Sequence, residues 1–246
     1  MAAFTSFQTI LPDPNNGVGA GGQVSTAAAD KGPGFASVNI ESGTPIQVSR
    51  TNSGRVISRS AAGHRYHIKI SYNPMTREQF EPIYSFLLQQ DGRLNPFFIQ
   101  LPQQYTSRSS AFATYASSNT ITNTQALIQG ADFMIQTGHS TDQTKSPELG
   151  DMFTITDATD SLHKKSYRVT RVMKLNTYHS GLHSNPTNVQ RIVYFSPPLQ
   201  RGVAISQTIN YDKPLFRVIL KNDIQQYSLG TNNLFNFSLD LEEAQA

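Results

Sequence analysis

Cysteine and tryptophan are both absent from the 246 residues. Without cysteine there is no disulfide framework and no thiol chemistry. Without tryptophan the usual platform for a sugar ring is missing, and tyrosine is left to substitute for it. Charge is scarce as well. Only 15% of residues are charged, the formal net charge is +3, and the basic residues are scattered. Such an excess is too small to argue for nucleic acid by itself. No apolar run approaches the roughly 18 residues of a membrane helix, so no membrane partner is expected. The start, MAAFTSFQTILPDPNNG, lacks a basic end and a continuous apolar core, and is not expected to act as a signal peptide. No GxSxG elbow is present, and no serine stands next to a plausible histidine partner. The run GVGAGG lacks the GK[ST] ending of a phosphate loop.

What is abundant instead is Ser, Thr, Asn and Gln, beside 37% hydrophobic residues. That balance favours β-structure with polar loops. The length allows one large β domain or two small ones.

The stretch that specifies itself best runs from His64 to Pro102. Tyr66, Ile68, Ile70 and Tyr72 alternate with Arg65, His67, Lys69 and Ser71, which predicts a strand with one wet face. Asn73-Pro74 breaks it. Thr76 with Gln79 has the spacing of a capping box, and Met75 with Phe80 that of a hydrophobic staple. Phe80, Ile83, Tyr84, Leu87 and Leu88 then form one apolar helical face, and Gly92 is a stop signal. Pro82 either kinks this helix or marks its true start. Phe97, Phe98, Ile99 and Leu101 predict a second, more buried strand.

Around this unit the chain reads mainly as strands. Phe4 to Leu11 is a candidate short strand, and Pro12 to Phe35 has almost nothing to bury, so residues 1–35 are expected as a flexible arm. ASVNIESG, TPIQVSRT and GRVISRS are short β-runs punctuated by Gly43, Asn52-Ser53-Gly54 and Gly63. Tyr105 to Ser118 is a crossing anchored only by Phe112 and Tyr115. ALIQGADFMIQTG, SPELGDMFTITD, KSYRVTRVMKL and QRIVYFSPPLQ resemble the strands of a small antiparallel barrel. VAISQTINY, PLFRVILKN, IQQYSLG and LFNFSLDLEEA close the chain, the last with Phe235, Phe237, Leu239 and Leu241 alternating against Asn236, Ser238 and Asp240.

No residue is assigned to catalysis, a cofactor or a metal. His179 and His183 have the i, i+4 spacing of a helical metal pair, but YHSGLHSNP reads as a loop without a third ligand. His64 and His67 fall on opposite parities of one strand, and His139 and His163 complete the six histidines. Asp151, Asp157 and Asp160 are spaced for acid/base work on a glycan, yet Gly150-Asp151 reads as a turn before a strand. Glu242 and Glu243 read as a solvated end. Arg50, Arg55, Arg59, Arg65 and Lys69 form a basic sector that reads as a solvated face or as inter-subunit ion pairs, and one that nucleic acid would favour.

The strand, capped helix and DGRLNPFFIQLP, with Gly92-Arg93 before the aromatic strand Phe97–Leu101, resemble the tube-like domain of bacteriophage distal tail and baseplate-hub ring proteins. PELGDMFTI with KSYRVTRV, the YFSPPLQ double proline and the FNFSLDLEEA strand fit the same resemblance, which spans about two-thirds of the chain. It implies a mainly-β fold with one α-helix: a tail-tube-like sandwich or barrel of residues 36–104 and 204–246, with an inserted small antiparallel β-barrel at 105–203. It further implies a ring-forming homo-oligomer, taken as a hexamer, that joins the tail tube to tip or baseplate proteins of the virion. Genomic DNA would pass through its channel without specific binding. The alternative is a carbohydrate- or receptor-binding β-module of the virion. An enzyme such as a glycan hydrolase is the third reading, and the absence of a convergent acid/base pair counts against it.

Overall fold

The structure is a computed structural model that describes residues 9–19, 23–60, 63–160, 163, 165–177, 184–223, 226–230 and 232–244. In chain order its elements begin with strands β1 (Gly17–Val18), β2 (Val24–Ser25), β3 (Phe35–Gly43), β4 (Ile46–Arg50), β5 (Val56–Ser60) and β6 (Arg65–Tyr72). Helix α1 (Arg77–Gln89), β7 (Phe97–Gln100) and helix α2 (Ser110–Ser118) follow. Next come β8 (Ile121–Asn123), β9 (Phe133–Thr137), β10 (Met152–Thr156), β11 (Ser166–Met173), β12 (Arg191–Ser196) and β13 (Thr208–Asn210). The chain closes with β14 (Leu215–Leu220), β15 (Tyr227–Leu229) and β16 (Phe235–Glu243). The protein is mainly β, as the alternating patterns predict, but α2 is a second helix where an irregular crossing was expected.

The chain divides into two compact units, Met1–Ile99 with Arg217–Gln245 and Gln100–Phe216. The inserted unit is thus larger than residues 105–203. Its extra C-terminal stretch carries β13, which pairs with both β10 and β8 and closes the barrel.

The first unit is a sheet in the order β3-β6-β16-β14-β7, with β15 beside β16. Tyr66, Ile68, Ile70 and Tyr72 are all buried on one face of β6, and Phe237, Leu239 and Leu241 continue that face on β16. The register sets Ile70 beside Leu239 and Ile68 beside Leu241. Helix α1 is built by its own ends. The Thr76 N–H donates to Gln79 Oε1 at 3.3 Å, the reciprocal half of a capping box. Asp91 (φ 51°) and Gly92 (φ 66°) take the left-handed backbone that ends it. Pro82 lies inside the helix, exposed, rather than at its start. There its missing N–H costs one bond on the wet side.

The buried face of α1 is Phe80, Ile83, Phe86 and Leu87, whereas Leu88 is 55% exposed. Phe80 stacks on Phe235 at 4.5 Å and meets Phe237 edge-on at 5.6 Å, and Phe86 meets Phe97 at 5.4 Å. The expectation for Leu88 is corrected: those aromatic partners centre the buried arc between Ile83 and Leu87, which draws Phe86 in and turns Leu88 out.

The stretch read as a flexible arm carries local structure of its own. The Leu11 N–H donates to Phe98 O at 2.8 Å and the Phe98 N–H to Thr9 O at 2.8 Å, so this segment runs along β7. The Asp13 carboxylate accepts from the N–H groups of Asn15 and Asn16 at 2.6 and 2.8 Å. Burial holds that carboxyl above its usual range. Leu11, Asp13 and Asn16 are buried, a use of polar residues that a search for apolar anchors does not find. Phe4 to Gln8 lie outside the described residues.

The second unit is a closed barrel in the order β10-β11-β12-β9-β8-β13. Its core is Phe112, Met134, Phe153, Tyr167, Val193 and Phe195 with their neighbours. Helix α2 plugs it: Ser109 Oγ caps the Phe112 N–H at 3.3 Å, Phe112 is fully buried, and the Tyr115 hydroxyl donates to Gly138 O at 2.9 Å. On β9 the inward residues are Met134 and Gln136, and Phe133 and Ile135 lie on the outer side.

Candidate functional site

The sheet of the first unit has one apolar face, on which the aromatic side chains of α1 pack, and one polar face. The polar face is laid out by register. Ser37, Ser71 and Ser238 form one row across β3, β6 and β16. Asn39, Lys69 and Asp240 form the next, extended by Lys221, whose N–H donates to Asp240 O at 2.9 Å. Glu41, His67, Glu242 and Ile219 form the third. Arg65 and Arg217 stand at the far end. An open groove of about 870 Å³ lies over the first two rows and is also lined by Arg93 and Asp223.

Three cations on this face pair with acids. Lys69 Nζ lies 3.6 Å from Glu41, Lys221 Nζ lies 3.5 Å from Asp240, and Arg65 Nη1 lies 2.5 Å from Glu242. Each pair spans neighbouring strands, so period-two polar positions have been placed with opposite charges across the ladder. The residues of this face offer hydroxyl, amide and paired-charge chemistry.

The sequence candidates separate. Of the basic sector, Arg65 and Lys69 belong to the paired face. Arg50, Arg55 and Arg59 are exposed on the β4–β5 hairpin. Glu242 and Glu243 are not a solvated end. Glu242 holds Arg65, and Glu243 is buried and accepts the Tyr66 N–H at 3.1 Å. Strand β16 extends through both, and its pairing with β6 draws them into the sheet.

The candidate acids of the second unit, Asp151, Asp157 and Asp160, each have local partners. Asp151 accepts from the Ser107 hydroxyl, the Arg108 N–H at 2.9 Å and the Glu148 N–H at 2.8 Å, which is the expected turn. Asp157 accepts from the Thr159 N–H at 2.8 Å and hydroxyl at 2.6 Å and from the Asp160 N–H at 3.1 Å. Burial pushes that carboxyl up, and these hydrogen bonds outweigh it and hold the group below its usual range. Asp160 pairs with Arg201 at 2.7 Å.

The described histidines are structural in their contacts. His64 Nε2 is 2.8 Å from Ser42 Oγ, and His163 Nε2 is 2.8 Å from the Tyr167 hydroxyl. His139 is buried beside Phe112. His179 and His183 lie outside the described residues. Among the described residues no group of three or more His, Asp or Glu is arranged to hold a metal.

Two features were missed by sequence reasoning. Arg191 is fully buried in the barrel unit and is fixed entirely by neutral oxygens. On the barrel's outer side, Arg171, Tyr194 and Phe133 form a row across β11, β12 and β9. The Arg171 guanidinium lies 5.6 Å from the Tyr194 ring centre, and Tyr194 lies 5.7 Å from Phe133. The alternation of β9 and β12 was the available signal for this row, but the bulge between Val169 and Arg171 shifts the phase of β11 and hides it. Compared with known proteins, the chain matches no family model, and no curated protein is significantly similar to it.

Proposed function

We propose that the chain is a structural subunit of a bacteriophage tail, of the distal-tail or baseplate-hub type. In this reading its sheet unit closes a homo-oligomeric ring around the DNA channel, and its barrel unit meets tip or baseplate proteins. The observation that carries the reading is the edge of β3. It is nine residues long, contains no proline and one charge, and has no strand beyond it among the described residues. Such an edge is a liability unless another chain covers it, and a closed ring covers every copy of it without open-ended growth. The opposite edge, β7, is already lined by Thr9 to Leu11. The sequence pattern around Gly92-Arg93 and Phe97–Leu101 supports the same reading. Mass photometry and negative-stain images of the purified protein test it. A discrete closed ring is expected, and a stable monomer at high concentration overturns it.

The row of Arg171, Tyr194 and Phe133 favours a second reading, a carbohydrate- or receptor-binding module of the virion. Aromatic faces flanked by a guanidinium suit a sugar ring even without tryptophan. Glycan-array binding that is lost in Tyr194→Ala would support that reading over a purely structural role.

A further inference from the structure

The β4–β5 hairpin is the most exposed apolar element of the first unit. Ile46, Val48, Val56 and Ile57 leave 58, 61, 54 and 53% of their surface open. Among the described residues its strands pair only with each other, as a two-stranded sheet. A ribbon of that kind is marginal in water, and Ile46, Val48 and Val56 form a patch that marks an interaction site. The register places Ile46, Val48 and Val56 on one face together with Arg50. Ile57 and Arg59 lie on the opposite face, Arg55 stands beside the turn, and residues 44–63 contain no acid.

We propose that this hairpin docks on a second copy of the chain, against the surface made by α1 and β15. This rests on the ring reading above and names the contact that would close it. The receiving surface is complementary in two ways. Tyr227 and Leu229 are 49 and 56% exposed on β15, and the Tyr227 ring lies 5.4 Å from Tyr84 and 5.6 Å from Phe235. Flat aromatic faces accept Val and Ile side chains and attract a guanidinium. Glu78 and Glu81 are exposed on the first turns of α1, and Glu81 pairs with the exposed Arg77 at 3.2 Å. A hairpin packed against another hairpin would instead bring the arginines of both copies together with no acid between them. Like charges at an interface oppose that arrangement. The contact is therefore heterologous, with different surfaces of each copy, and contacts of that kind generate rings when the rotation closes.

The absence of cysteine makes the test clean. Val48→Cys and Leu229→Cys are produced separately and co-expressed, then treated with a short bismaleimide. A cross-linked dimer is expected in the co-expressed sample and in neither variant alone. Cross-linking of Val48→Cys by itself would mean hairpin-to-hairpin packing and overturns the proposal. So does an assembled ring that gives no cross-link in the mixed sample, a result that leaves the ring reading standing. A wild-type protein that stays monomeric in mass photometry overturns the ring reading as well. As a second readout, Arg50→Glu with Arg55→Glu and Arg59→Glu should abolish assembly at unchanged circular dichroism. Adding Glu78→Arg and Glu81→Arg should restore it. Failure of that rescue in a folded protein counts against the assigned surface.

Discussion

Nε2 of His139 lies 3.2 Å from Oε1 of Gln136, which also accepts the Tyr211 hydroxyl at 2.9 Å. The oxygen is an acceptor, so the imidazole donates through Nε2, and Nδ1 is left without a hydrogen-bond partner. A proton added at Nδ1 would be a buried charge with no acceptor. Burial, reinforced by nearby Arg191, pushes the His139 pKa down to about 3.

The unfolded chain takes up this proton near pH 6.5, whereas the folded chain resists it until about pH 3. Between those values the unfolded state binds more protons, so stability falls as pH falls, by at most about 1.4 kcal/mol per pH unit from this group. Urea unfolding from pH 7.5 to 4.5 checks it. The slope should be steeper in the wild type than in His139→Gln, and equal slopes would remove the buried imidazole as the cause.

Helix α1 offers a sharper contrast between neighbours. Leu87 is fully buried and Leu88 is 55% exposed. Leu87→Ala should lose about 2–5 kcal/mol, and Leu88→Ala no more than about 0.5 kcal/mol. Comparable losses at the two positions in equilibrium unfolding would mean that the helix is rotated from the orientation described.

These two leucines also show how far the sequence could be read. Tyr66, Ile68, Ile70 and Tyr72 declare their strand because one face is apolar and the other polar. Phe80, Ile83 and Leu87 declare their helix in the same way. Leu88 and Phe86 border that stripe on either side, and only the aromatic partners on β16 and β7 decide which one is buried. Helix α2 was not legible, since SAFATYASS offers little besides Phe112 and Tyr115 to mark a period. Strand β13 was read with the wrong unit because its three residues acquire meaning only from pairing with β8 and β10. The rows of the polar face required register, which alternation within one strand does not supply. Buried Arg191 runs against residue type, since arginine is almost never fully buried.

Arg191 leads to a third prediction. Its Nε donates to Ser146 Oγ at 2.7 Å, Nη2 to Ser140 O at 2.9 Å, and Nη1 to Asn188 O at 3.0 Å and Gln190 O at 2.7 Å. The guanidinium fork thus pins the loop from Ser140 to Ser146 to the start of β12. Burial lowers its pKa from the ordinary value. Arg191→Ala removes four hydrogen bonds and strands the buried Ser146 acceptor, at roughly 1–3 kcal/mol for that group. Arg191→Lys should rescue little, because an ammonium cannot reproduce the planar fork. Hydrogen exchange in residues 140–146 should accelerate in both variants. Protection retained in Arg191→Lys would show that charge, not geometry, holds the loop.

The last prediction concerns DNA and the polar face. If that face lines a channel, its cations must not hold phosphate while the duplex moves. Lys69, Lys221 and Arg65 are each matched with an acid on a neighbouring strand, at 3.6, 3.5 and 2.5 Å. The matching acids, not a shortage of cations, then keep the wall from retaining DNA. Replacing them by isosteres, Glu41→Gln with Asp240→Asn and Glu242→Gln, frees three cations per subunit and leaves the backbone ladder in place. Wild-type protein should bind duplex DNA weakly and release it at moderate salt. The triple variant should bind more tightly, with the slope of log K against log salt steeper by up to about 0.9 for each further phosphate that a freed cation neutralises. Circular dichroism confirms that the variant is folded. Unchanged DNA affinity in a folded, assembled variant would place this face away from the channel. Tight binding by the wild type would show that the pairs do not neutralise the wall.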